Sequence, residues 1–428
     1  MADIVFAFDA AIDRPIPVPE AAPASVAEAI ATAPLEALRT AVATARDSKA
    51  ALLVLCGRVL DPHRASPAQA AAVRSMILDL VADGCRTVWM ADDATASAEA
   101  ARMLGEPKGL AFATPLEPLH LEVRGLAVEL VVARGTFATA AVVAGDVEAA
   151  FAPLRRRIVV GWDSSHWSAE RWEAVQSMPS PSGAAQGGCD RDAETIRRLP
   201  GWSQPDTLCV WGSRATRPLP AGVRHLASLQ PRSVHESPTG GCATLALVDR
   251  AEADAAIPHA ADADWSRGDW RHSWHEVPTA RVAWRTIAVP SPAGGDEELA
   301  TTIWSALENL PPASTAAVEI VRCSVECGTS IARRVRVAEI SAETLARLRQ
   351  LFDGRSVRGW CHELSADSSE SLAPLGRGRS GGRPGSTTSF STALADIVMQ
   401  IEQDPAPPMP AALARESAWL ALELIESI

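Results

Sequence analysis

The sequence predicts a layered α/β protein followed by a smaller α+β unit and a helical tail. Three observations carry this. Strands alternate with helices through the first half, the character shifts to a compact strand–helix–strand repeat after residue 264, and a Gly/Arg/Ser-rich stretch precedes the last 39 residues. At 428 residues the chain exceeds one ordinary domain, since about 150 residues per domain is a usual prior. It is 47% hydrophobic and 21% charged, so it can bury a sizeable core.

IVFAF (4–8) is a short buried-strand run. Leu35, Leu38, Val42 and Ala45 then recur at helical spacing from Pro34 to Lys49. ALLVLCG (51–57) is a second strand. The stretch 66–84 opens on Ser66 with Pro67 at the first helical position and stops on Gly84, a full set of helix start and stop signals. CRTVWMA (85–91) is a third strand and Ala94–Leu104 a short helix. The stretch 119–135 reads as a hairpin; 155–162, 207–213 and 242–249 read as further strands.

Residues 251–264 form an Ala/Asp-rich bridge, and DWRHSWHE (269–276) is expected to belong to the connector into the second unit. That unit runs from strand 282–289 through helix 296–310, strand 316–326 and helix 341–352 to strand 357–364. The resulting divisions are 1–250, 265–365, a linker at 366–389 and a helical tail at 390–428. The linker's Arg377, Arg379 and Arg383 are too few for a convincing phosphate-binding patch.

Forty basic against 52 acidic residues give a net charge of −12, which excludes nucleic-acid binding through the overall field. No run is long and apolar enough to span a bilayer and no secretory layout opens the chain, so a cytoplasmic protein is expected. The eight cysteines are scattered, and Cys323 with Cys327 lacks the second pair that a zinc site needs; reduced, structural thiols are expected. His272 and His275 are close enough to share an ion, but a surface or packing role fits them better. Trp265, Trp270, Trp274 and Trp284 could stack bases, yet aromatics spaced through a connector more often pack between units.

In open α/β sheets the chemistry lies in loops past the carboxyl ends of strands. Those loops here read FAFDAAID, LLVLCGRVLDP, WMADDAT, RIVVGWDSS and VWGSRAT. Their order resembles that of the calcineurin-like metallophosphoesterases, specifically the SbcD/YhaO-type DNA repair exonucleases. The resemblance implies a mixed β-sheet sandwich flanked by helices, a capping domain and a tail that docks on a long coiled-coil ATPase of the SbcC/YhaN type. It also implies where two catalytic metals would sit. Asp9 matches the first motif's aspartate, with Ala11 where a histidine belongs. Gly57 and Asp61 match the second motif, with Arg58 in place of the bridging aspartate. Asp92 and Asp93 replace the Asn-His of the third motif. Trp162, or its neighbour Asp163, fills a histidine position. Gly212 is kept from the Gly-His-x-His motif, with Ser213 and Ala215 at its two histidines.

Two-metal phosphodiester cleavage needs two dications held by Asp, Asn and His and bridged by a carboxylate. An Arg at the bridge has no lone pair to give. About 4 Å from a dication, at an effective dielectric near 20, it would be repelled by on the order of 8 kcal/mol. The expectation is therefore a degenerate, non-catalytic scaffold subunit of a DNA repair complex with no metal cofactor, in which Arg58 pairs with Asp9 or its neighbours. The alternative is an active phosphoesterase or exonuclease whose Mn2+ ligands are rebuilt from Asp9, Asp61, Asp92, Asp93 and a distant histidine. In the tail, Trp419, Leu420 and Leu424 lie on the apolar face expected to meet the ATPase. The sequence leaves homodimerisation open.

Overall fold

The computed structural model describes residues 2–19, 22–91, 94–115, 118–133, 156–162, 207–214, 219, 222–234, 236, 240–248, 271–289, 296–309, 316–325, 335, 341–352, 358–366, 397 and 417. The chain is a layered α/β protein. Five helices flank three sheets among these residues.

The first sheet takes β1 (Ile4–Phe8), β2 (Leu52–Cys56), β3 (Arg86–Met90) and β4 (Leu110–Ala113) in parallel. Two antiparallel strands, β10 (Gly241–Val248) and β11 (Arg271–Pro278), extend it beyond β1. The second sheet starts with a hairpin of β5 (Leu119–Val123) and β6 (Leu126–Ala133), whose tight turn uses Arg124 and Gly125 at positive φ. It continues in parallel through β7 (Arg156–Trp162), β8 (Thr207–Gly212) and β9 (Val223–Leu226). The two sheets stack. Ile4, Phe6 and Phe8 on β1 face Leu130, Ile158 and Val210 on the second sheet in one buried cluster. Their neighbours Val5 and Ala7 point the other way, under the helices, as the period of two along a strand requires.

Those helices are α1 (Ala24–Asp47), α2 (Pro67–Ala82) and α3 (Ala94–Leu104). α2 begins where the sequence places it. Ser66 and Gln69 form a reciprocal capping box behind Pro67, and Gly84 turns out of the helix at φ 84°. α1 starts ten residues earlier than the spacing predicts and carries Pro34 inside it. A proline there costs about 3 kcal/mol. Burial of Val26, Ile30 and Ala33 in the preceding turns offsets it.

The third sheet is all parallel: β12 (Val282–Val289), β13 (Val318–Val325) and β14 (Arg358–Ala366). α4 (Asp296–Glu308) and α5 (Ser341–Phe352) cover one face through Leu299, Ile303 and Leu348. The first half of α1 covers the other, where Val26 and Ile30 meet Trp284, Ile320 and Trp360.

One expectation is overturned. Residues 271–278 are an edge strand of the first sheet rather than connector, paired with β10 at eight positions. Trp274 packs inward against Phe6, with ring centroids 5.6 Å apart. Packing between units holds for Trp284, which meets α1, whereas Trp274 packs inside the first unit; Trp265 and Trp270 lie outside the described residues, as do the linker and the tail helices apart from residues 397 and 417. No helix among the described residues is long and apolar enough to cross a membrane.

Candidate functional site: an arginine–carboxylate cluster at the sheet edge

The carboxyl ends of β1, β2, β8 and β9 meet at one edge of the sandwich. Past Phe8 the chain stays bound to the β2 loop. Asp9 N donates to the Cys56 carbonyl at 3.0 Å, Ala11 N to Arg58 at 2.9 Å and Ile12 N to Val59 at 3.1 Å. Keeping these bonds while turning requires left-handed backbone at Asp9 (φ 53°) and Ala11 (φ 41°). For a residue with a Cβ that costs roughly 1–2 kcal/mol.

A fully buried guanidinium stitches this turn. Arg232, 3% exposed, donates to the carbonyls of Arg14 (2.5 Å), Ala11 (2.7 Å) and Ala10 (3.3 Å). Burial pulls its pKa down to about 10, which leaves it charged at neutral pH. Arg214, just past β8, pairs with Asp9 through its Nε and lies 3.9 Å from Glu236 Oε1 through Nη1. Arg58 pairs with Asp61 and, at 3.2 Å, with Asp13. Asp13 also accepts from Asp61 N at 3.0 Å and has a wholly buried side chain. Glu236 accepts from Arg232 N at 3.1 Å and Ser228 Oγ at 3.4 Å. Burial raises its pKa to about 7 against the downward pull of Arg214 and Arg232. Burial also lowers the pKa of Arg14, with Arg58 and Arg214 adding to the effect.

Four carboxyl groups (Asp9, Asp13, Asp61, Glu236) therefore meet four guanidiniums (Arg14, Arg58, Arg214, Arg232). With every group charged the cluster sums to zero. A pair of dications would bring four further positive charges. Asp9 Oδ1 is buried without a hydrogen-bond partner among the described residues, which is a feature a cation would answer. Arg214 already occupies the other oxygen, and Arg58 takes up Asp13 and Asp61. The residues present do not fit two metals. Among the described residues no group of three or more His, Cys, Asp and Glu side chains could hold even one.

Asp9, Ala11, Arg58 and Asp61 fall together at this edge. Arg58, however, reaches Asp13 and Asp61 rather than Asp9. Trp162, 2% exposed, is core between the two sheets. Ser213 is buried and its N–H donates to the Leu226 carbonyl at 3.1 Å. Gly212 lies against the Phe8 ring: a Cβ there would come within 2.7 Å of Phe8 Cδ2. His272 and His275 lie on β11, and an exposed His63 faces Glu99 at 3.4 Å. Asp92, Asp93, Asp163, Ala215, Trp419, Leu420 and Leu424 lie outside the described residues. Sequence reasoning missed Asp13, Arg14, Arg214, Arg232 and Glu236. Their one signal was arginine and carboxylate recurring at strand ends, in IDR, GSR and PRSVHE.

No family model matches the chain, and no curated protein matches it. Among solved structures it is similar to the crystal structure of TT1561 of Thermus thermophilus. The identity is 16%, over 54% of this chain and 91% of that one, with a TM-score of 0.29. At that overlap the functional reading rests on the residues themselves.

Proposed function

We propose that this chain is a metallophosphoesterase-like scaffold in which arginines have taken over the space and charge of the metal pair. In this reading it is a non-catalytic SbcD/YhaO-like subunit of a cytoplasmic ATPase–nuclease complex that repairs DNA. The observation that supports it is the cluster of four guanidiniums and four carboxyl groups at the sheet edge, built on the same strand-end loops that would carry metal ligands. A guanidinium donates and cannot ligate, so the exchange removes Lewis-acid chemistry while keeping the loops neutral and pinned.

The protein purified and dialysed against Mn2+ should retain no near-stoichiometric metal by elemental analysis. It should also leave linear DNA and a generic phosphodiester intact with Mn2+ present. Manganese-stimulated cleavage that disappears in Asp9→Ala would instead establish an active enzyme with rebuilt ligands. The unpartnered Asp9 Oδ1 is the observation that favours that second reading.

The proposed partner is an SbcC/YhaN-like coiled-coil ATPase, with DNA reached only through the complex. The apolar face carrying Trp419, Leu420 and Leu424 would enter a groove on that partner. Deleting residues 390–428 is expected to abolish co-purification with such an ATPase while leaving the thermal melt of the remaining chain unchanged. Full retention of binding would remove the tail from this role.

A further inference from the structure

The third sheet holds a chemical feature unrelated to the sheet-edge cluster. β13 and β14 run parallel with Val321 opposite Cys361, and a register shift follows between Val321 and Arg322, so that Arg322 faces Glu363 and Cys323 faces Leu364. His362 is the extra residue of this bulge. With it inserted, Cys361 and Leu364 share the face that carries Val321 and Cys323, beneath α4 and α5. Cys323 Sγ and Cys361 Sγ meet across the diagonal at 3.8 Å, both wholly buried. Side chains anchor the backbone at each cysteine: Ser365 Oγ donates to the Cys323 carbonyl at 3.3 Å and Arg349 Nε to the Cys361 carbonyl at 3.3 Å.

We propose that Cys323 and Cys361 are an oxidation site, a paired dithiol that a small peroxide converts to a disulfide tying β13 to β14. The sulfurs need to close from 3.8 Å to about 2.0 Å. One sulfur gives an electron pair to the peroxide O–O bond and becomes a sulfenic acid as the first water leaves. The second sulfur attacks it, forms the S–S bond and releases the second water. Two thiols and one hydrogen peroxide thus give one disulfide and two waters.

The shared hydrogen bond, then burial, pushes the Cys323 thiol far up, so the thiolate is rare and oxidation is slow. Slow entry and fast closure favour the disulfide over higher sulfur acids, because the second sulfur is already in contact. Cys56 shows the contrast. It is equally buried, but its sulfur neighbour is Met90 Sδ at 4.0 Å, which cannot close a bridge. The tie would span 38 positions in sequence and enclose α5.

The test treats the reduced, full-length protein with hydrogen peroxide under native conditions, blocks remaining thiols at low pH and digests it for mass spectrometry. The expected product is a dithiothreitol-sensitive peptide joining Cys323 to Cys361. It should persist in Cys327→Ser and be lost in Cys323→Ser and Cys361→Ser, with Cys361→Ala as a second variant whose melt confirms folding. The oxidised wild type should melt several degrees above the reduced form, a shift absent in both Cys361 variants. A bridge to Cys327 instead, or sulfinic acid without any bridge, would overturn the proposal. So would thiols left intact at a peroxide dose that oxidises the methionines.

Discussion

Arg214→Ala should destabilise the fold by about 3–5 kcal/mol, the range for breaking a buried ion pair from one side. Asp9 is 1% exposed and its carboxylate loses the guanidinium that neutralises it. Arg232 and Arg14 act on Asp9 at longer range, which places the expectation at the lower end of that range. Urea unfolding followed by Trp fluorescence would read the change as a lowered midpoint. The double variant Asp9→Asn with Arg214→Met should recover most of the loss, because removing both charges removes the uncompensated one. Asparagine is the replacement of choice, since residue 9 has φ 53° and Asn tolerates the left-handed region. If Arg214→Ala alone leaves the midpoint unmoved, the pair is a surface ornament and the idea that arginines hold this edge together fails.

Phe8→Ala should cost a similar amount, about 3–5 kcal/mol, through lost burial and the cavity it leaves. Phe8 is 1% exposed and closes the inter-sheet core at the cluster's floor. Two glycines grip its ring. A Cβ at Gly57 would approach Phe8 Cε2 to 2.8 Å, and one at Gly212 would approach Phe8 Cδ2 to 2.7 Å. Both glycines close strand-end loops at this edge. Packing against Phe8 explains their presence without any catalysis. Thermal melting of Phe8→Ala would measure the loss, and a change of under 1 kcal/mol would mean that the ring does not anchor this edge.

The layered architecture was legible because it depends on local signals. Ser66-Pro67 with Gln69 announces α2, and the period-two alternation of β1 divides its side chains between two cores. β11 was illegible because its apolar anchors, Trp274 on one core and Val277 on the other, stand singly among charged and polar residues. The first half of α1 was hidden by Pro34, which reads as a start signal although it lies mid-helix. The site was half visible. Motif order located Asp9, Arg58 and Asp61, but a resemblance directs attention to the positions where it would place ligands. Arg214 stands between two such positions, Ser213 and Ala215, and so was passed over. Arg232 and Glu236 come from the loop before β10, some 220 residues from Asp9 in sequence, and only the fold brings them to the same edge.

One helix belongs to two sheets. The second half of α1 lies on the first sheet through Ala37, Leu38 and Ala41, and its first half lies on the third sheet through Val26 and Ile30. It therefore works as a splint across the joint. The two sheets share one helix, so unseating it would uncover a face of both cores at once.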